Sequence, residues 1–255
     1  MNNIFYGIAG YHRPECKTYH TLLRLGIPKE RIFISLNDKR DLRDYKSRYN
    51  DAQILFREGF SVAFNRNTIL NHFPKGSWVM LLDDDIGSFK KLVNKDTARG
   101  IGFQRLLSAN ELEDILIDAF MKCKEIGAEC FGFYSLENDG WMLNTIQRDG
   151  LYSLNKLYQG GFCGFIVSDL RYDESYILQD DYELICRIIK SKGITIRRND
   201  AVASKGKMAQ NIGGCFELYK QGKQQEYLRK LKEQYPDLIT LKKNMKGVIL
   251  NVKRH

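Results

Sequence analysis

The sequence predicts an α/β domain, a mostly parallel central sheet flanked by helices, followed by a basic helical segment. Three observations point there. Apolar strand-like segments alternate with amphipathic helical ones through the first 85 residues. The last of those strands carries the run "VMLL", apolar without alternation, as in a central parallel strand buried on both faces. A chain of 255 residues, 43% apolar and 28% charged, with four prolines and no low-complexity tract, suffices for one compact domain with a full core.

Each element follows from local pattern. "NIFYGIAGY" is a strand by its apolar and aromatic content, and "KTYHTLLRLGI" has helical spacing at Tyr19, Leu22 and Leu23, closed by Gly26. "RIFISLND" is a second strand ending on Asn37 and Asp38, followed by the polar helix "DLRDYKSRY" and the short strand "AQILFREG". A helix containing "AFNRNTILNHF" must stop before Pro74, and "SWVMLLDDD" is the next strand. Residues 87 to 107 read as a loop. Ser108 then caps an amphipathic helix, "SANELEDILIDAFMKCKEIG", with Glu111 at the capping-box position. "ECFGFYSL" and "GGFCGFIVSD" read as strands, "QDDYELICRIIKSKG" as a helix with its apolar face at Leu184, Ile185, Ile188 and Ile189, "ITIRRND" as a strand, and "CFELYKQGKQQEYLRKLKEQY" as one final basic helix. The core spans 1–203 and the basic extension 204–255.

The net charge of +9 is unevenly placed. From Lys205 to His255 twelve Lys and Arg stand against four Asp and Glu, so this segment prefers an anionic partner: nucleic acid, an acidic lipid surface, or solvent alone. No apolar run approaches the roughly 20 residues of a membrane span. The opening "MNNIFYGIAGYHR" lacks the charged and apolar regions of a signal peptide, so a cytoplasmic location is expected. Six cysteines without a C-x-x-C pair read as buried free thiols.

Two acidic groups carry the chemistry. Asp83, Asp84 and Asp85 follow directly on a buried strand, where neighbouring carboxylates raise one another's pKa unless a cation or water relieves them. Ligands in open parallel sheets gather beyond the carboxyl ends of strands, the place of both Asp38 and this triplet. Hard oxygen ligands with no His or Cys in reach suit Mg²⁺ or Mn²⁺, which takes its remaining ligands from water and phosphates. Asp180 and Asp181 open a helix, where dipole complementation explains a carboxylate as readily as catalysis does.

The order "AFNRNTIL", "VMLLDDDI", "GGFCGFIVSD", "ILQDDYELICRII" resembles the signals of family-2-type glycosyltransferases of the GT-A (Rossmann-like) fold. More narrowly, N-R-N, L-D-D-D-I and the later "NIGGCFELY" resemble the TET/JBP-associated glycosyltransferases, which include the base J glucosyltransferase and phage-encoded relatives acting on 5-hydroxymethylpyrimidines in DNA. The resemblance implies a nucleotide-sugar donor, UDP-glucose, a Mn²⁺ or Mg²⁺ ion, a DNA acceptor, and the host cytoplasm if the chain is phage-encoded. By the same resemblance Asp38 would take the nucleotide base or ribose. Arg66, with Asn65 and Asn67, would lie near the diphosphate, and Asp83 and Asp84 near the nucleotide. Asp85, with Asp83, would hold the metal. Asp181 fills the place of the catalytic base, with Asp180 where the motif has Glu, and Arg187 would brace their helix. Gly160 and Gly161 belong to the acceptor segment, and Trp141, in the stretch "LENDGWML" read as a loop, would stack on an extruded base. A peripheral-membrane enzyme of surface-glycan synthesis, a non-enzymatic nucleic-acid-binding domain and a Mg²⁺-dependent phosphotransferase stay open beside it.

Overall fold

The computed structural model describes residues 3–13, 15–96, 101–205, 214–244 and 247–251. The "NIG" of the later motif, at 211–213, and four of the twelve basic residues of the C-terminal segment lie outside them.

The first half is β1 (Ile4–Ala9), α1 (Lys17–Arg24), β2 (Ile32–Leu36), α2 (Lys39–Arg48), β3 (Gln53–Phe56), α3 (Val62–His72) and β4 (Trp78–Asp83). Local chemistry sets these bounds. Gly26 takes a φ of 80° just past the end of α1, a left-handed conformation that glycine adopts without the strain an L side chain carries there. Asp38 caps α2, and the Ser61 hydroxyl caps α3 by accepting from the Phe64 amide. The second half is β5 (Ile86–Asp96), β6 (Ile101–Leu106), α4 (Ala109–Ile126), β7 (Cys130–Phe133), α5 (Asp139–Asp149), β8 (Tyr152–Leu154), β9 (Phe162–Ile166), α6 (Asp180–Lys190), β10 (Ile196–Arg198), β11 (Ala201–Lys205), α7 (Phe216–Lys220), α8 (Lys223–Gln234), β12 (Ile239–Leu241) and β13 (Val248–Leu250). The Ser108–Glu111 capping box opens α4.

Among the described residues the central sheet has the order β3-β2-β1-β4-β9-β7-β10-β8. β1 to β4 run parallel to one another, β7 and β10 share their direction, and β9 and β8 are reversed. The fold is thus a mixed α/β domain with a mostly parallel central sheet between helices. The unalternating run in β4 divides as expected. Trp78, Met80 and Leu82 join the cluster under α1 and α4, while Val79 and Leu81 join the one under α3 and α6. Each such burial contributes roughly 1.5–3 kcal/mol, so β4 anchors both layers.

Four sequence expectations are corrected. Residues 87–107 hold most of the β5–β6 hairpin, which joins β11 in a second sheet. A register shift opposite Gly87 puts Ile86 and Phe89, three residues apart, into the same core, so the period-2 signal is lost. Trp141 lies in helix α5, capped by Asn138, whose Oδ1 accepts from the Trp141 amide at 2.9 Å. Strands β8, β11, β12 and β13 have no counterpart in the sequence reading. The final helix is two, broken at Gly222 with φ at 72°.

The C-terminal segment packs on the sheet domain. Leu228, Leu231, Tyr235, Ile239 and Val248 close around Cys186 of α6 and Tyr176. All six cysteines are free, five buried and Cys215 half-buried. Among the described residues no helix is long and apolar enough to cross a membrane.

Candidate active site

β1 and β4 are adjacent and parallel, so their carboxyl ends open side by side. The turn after β4 is braced by α1: the Thr18 amide donates to the Asp84 carbonyl, its hydroxyl to the Asp83 carbonyl, and the Ile86 amide to that hydroxyl at 2.8 Å. This fixes Asp83, Asp84 and Asp85 at the mouth of a cleft of about 460 Å³. The N-terminus of α6, the 159–161 segment, Ser135–Glu137, and the C-terminal residues Gly214–Phe216, Tyr219 and Gln224 complete it.

The protein's own cations meet the triplet. Arg13, just past β1, pairs through Nε with Asp84 Oδ1 at 2.8 Å and through Nη2 with Asp85 Oδ2 at 3.2 Å. Arg66, 5% exposed, forks between two carboxylates, with Nη1 on Asp180 Oδ2 at 2.5 Å and Nη2 on Asp83 Oδ1 at 3.0 Å. Lys205 Nζ takes the other oxygen of Asp83 at 2.6 Å. Five aspartates and Glu137, which pairs with Lys90, thus line the cleft with three basic side chains, an excess of three negative charges in the lining when all are ionised.

That balance separates the acids. Burial would raise Asp83, but Lys205 and Arg66 outweigh it and hold its carboxyl well below the usual carboxylate range. Burial pushes Asp84 up to about 8; Arg13 opposes it and Asp85 reinforces it. Burial also raises Asp180, against the pull of Arg66. Asp181 is pushed up to about 6 by burial and then by the charge of Asp180. Its Oδ2 accepts from the Gly160 amide at 2.9 Å and its Oδ1 from the Tyr182 amide at 2.8 Å, so the carboxylate is oriented while half-exposed to the cleft.

The glycine pair has a local reason. A Cβ on Gly160 would meet the Arg66 guanidinium, and one on Gly161 would overlap both the Asp83 carboxylate and the Lys205 ammonium. The Asp83 amide also donates to the Gly161 carbonyl at 3.1 Å. Only bare backbone lets the charge cluster come this close.

Of the residues singled out from sequence, Arg66, Asp83, Asp84, Asp85, Gly160, Gly161, Asp180 and Asp181 line one cleft, and Asp38, Asn65, Asn67 and Trp141 do not. Asn65 Nδ2 donates to the Gly10 carbonyl at 2.6 Å, tying α3 to the end of β1. Asn67 holds the other side, with Nδ2 on the Tyr172 carbonyl and Oδ1 accepting the Tyr172 amide. Consecutive helical residues diverge by about 100°, so Arg66 alone turns to the cleft. Asp38 accepts the Arg40 and Asp41 amides at 2.7 and 3.2 Å, bonds that hold its pKa down against burial. It stands with His12 and Asp41 in a group whose ligand atoms lie within 4.8 Å of one another. Trp141 lines a separate depression. Arg187 braces α6 through Glu183 at 3.0 Å and the Arg171 carbonyl at 2.5 Å.

Sequence reasoning missed Arg13, Lys205 as an ion-pair partner, and the wall supplied by Cys215 to Gln224. Arg13 follows β1 by the rule that singled out Asp38 after β2, a signal present in "GIAGYHR". Burial pushes the Cys215 thiol up to about 12, which leaves it a protonated wall rather than a nucleophile.

Fold and site together define a mixed α/β domain with an acidic cleft at the carboxyl ends of its parallel strands. No family model and no curated protein matches the chain. A solved structure of CMP:2-keto-3-deoxy-manno-octonic acid synthetase complexed with CTP is similar over 91% of this chain and 99% of that one, at 9% identity and a TM-score of 0.45.

Proposed function

We propose that the protein is a divalent-cation-dependent glycosyltransferase that moves a sugar, glucose from UDP-glucose, to the hydroxyl of a 5-hydroxymethylpyrimidine in DNA, with inversion. The observation that carries the reading is the sorting of five aspartates round one cleft: a triplet paired with arginine and lysine side chains on one wall, and across it Asp181, oriented by two amides with its pKa raised to about 6. A general base works best with a pKa near the operating pH, and Asp181 in its ionised form would accept the proton of the acceptor hydroxyl. Direct displacement then inverts the anomeric carbon.

The donor set fits a hard divalent cation, because it is carboxylate oxygen throughout. Asp83 and Asp85 would hold the ion. When bound, it supplies Lewis-acid stabilisation of a leaving diphosphate. Arg13, Arg66 and Lys205 would face the same diphosphate, and Arg66, locked in a fork, suits phosphate oxygens. In this reading residues 1–203 carry the transferase core, and residues 204–255 form a basic extension that both walls the cleft and favours a polyanionic acceptor. The enzyme would act in the cytoplasm.

The test is a panel of nucleotide sugars with hydroxymethylated and unmodified DNA, in Mn²⁺ or Mg²⁺, read by mass spectrometry of the digested nucleosides. A hexose-mass shift confined to the hydroxymethylated DNA is expected. Turnover of the donor onto glycans with none onto DNA would overturn the acceptor; no donor binding at all would overturn the activity.

A further inference from the structure

Beside the cleft, a second depression of about 410 Å³ is built on α5 and the strands it covers. Trp141, Thr145 and Arg148 fall on one face of α5 at i, i+4 and i+7 spacing. The Trp141 ring is 59% exposed, unusual for the largest apolar side chain. Tyr134, Lys156 and Arg197 also line the depression, the Arg197 guanidinium 4.8 Å from the Tyr134 ring centroid. Tyr134 is itself held, its hydroxyl 3.2 Å from Thr145 Oγ1.

The charge here is unbalanced. Arg148 pairs with Asp149 at 2.8 Å. Arg197 makes its hydrogen bonds to Asn199 Oδ1 and the Leu157 carbonyl, and among the described residues no carboxylate pairs with it or with Lys156. Burial lowers the Arg197 pKa against the opposing charge of Asp149, so that one carboxylate offsets part of the charge of three cations.

Two chain segments join this depression to the cleft. Tyr134 lines one and Ser135–Glu137 the other; Lys156 lines one and Gln159–Gly161 the other. The two depressions are thus lined by neighbouring stretches of the same two segments, and the second of these carries Gly160, whose amide donates to Asp181.

We propose that the Trp141–Arg148–Lys156–Arg197 depression is a binding track for an unpaired stretch of nucleic acid, one base stacked on Trp141 and its phosphates on the three cations, leading the acceptor into the cleft. This rests on the nucleic-acid acceptor proposed above and adds where that polymer lies. An exposed aromatic interleaved with cations is what sequence-tolerant single-strand binding uses, since every base has a π-face and every linkage a phosphate. A neutral glycan would use the ring but gain nothing from three cations.

The test needs neither donor nor turnover, so its failure and that of the transferase reading stay distinct. A short fluorescein-labelled oligothymidylate is titrated against the full chain by anisotropy across a salt series. Trp141→Ala should weaken binding about tenfold, with Trp141→Phe retaining most of it. Lys156→Ala combined with Arg148→Ala should flatten the salt dependence by about 0.7 per lost phosphate contact. Thermal melts establish that the variants are folded. Trp78 is buried and stacked on Phe120 at 4.8 Å, so the oligonucleotide should quench the exposed, red-shifted emission that belongs to Trp141. Unchanged affinity in folded Trp141→Ala, or quenching by a neutral oligosaccharide with none by oligothymidylate, would overturn the proposal.

Discussion

Replacing Arg66 by methionine tests the architecture of the cleft most directly. The guanidinium is 5% exposed and is the only cation paired with Asp180 among the described residues, while Asp83 keeps Lys205 when Arg66 is gone. Breaking a buried pair by removing one partner costs about 3–5 kcal/mol, because the remaining charge is left in a poor dielectric. One deeply buried orphan, Asp180, and one half-relieved partner place the variant near the lower end, about 3 kcal/mol. For a chain of this length that corresponds to a fall in Tm of about 6–12 °C. The loss should depend on pH in a defined direction. Without Arg66 both carboxylates rise in pKa, and a carboxyl raised by folding has its full stability only below the unfolded value near 3.9, losing it as pH climbs through the folded value. The deficit is therefore larger at pH 8 than at pH 5. Melting followed by circular dichroism at both pH values, with Arg66→Lys as an intermediate that keeps the charge but not the fork, measures it. A methionine variant that melts within about 2 °C of the native protein at both pH values would show that the fork is not what holds α3 to α6.

Three further outcomes follow from the same charge arrangement. Asp85→Asn should abolish nucleotide-sugar turnover and weaken nucleotide binding measured calorimetrically in Mn²⁺; turnover that survives both this change and EDTA would remove the cation from the reading. The acid limb of kcat/KM should have its midpoint near pH 6, the raised pKa of Asp181, with activity falling tenfold per unit below it. Asp181→Asn should lower kcat by roughly a hundredfold with little change in nucleotide affinity, and the same profile from Asp180→Asn instead would shift the base by one residue.

The parts legible in the sequence are those where one physical signal acts alone. β1, β2, β4 and α1 to α3 announce themselves because strand burial on both faces, helix-end signals and a stop before Pro74 do not compete with anything else. The β5–β6 hairpin was illegible because the bulge at Gly87 breaks the alternation, and α5 because "ENDG" reads as a turn although Asn138 is its N-cap. In the site, carboxylates at strand ends stand out because like charges side by side demand relief. Arg13 and Lys205 do not, since a single basic residue after a strand is indistinguishable from any solvated one until the fold sets it against a carboxylate. Asn65 and Asn67 mislead for the opposite reason: adjacency in sequence suggests a shared task, and helical geometry sends them to opposite sides of Arg66.

The carboxylate triplet admits two explanations, a solvated turn or a bound ion, and the structure adds a third that bears on both. Arg13, Arg66 and Lys205 already neutralise much of it, so the fold can form before any ligand arrives. Those same side chains are the groups best suited to phosphate oxygens. A diphosphate entering the cleft would offer them a second set of anions, freeing carboxylate oxygen for a divalent ion, and the ion would in turn strengthen the hold on the diphosphate. Such coupling is reciprocal. On the proposed function, a cleft built this way would take the two ligands together better than either alone, so the cations, illegible in the sequence, would matter as much to the proposed chemistry as the acids that drew attention first.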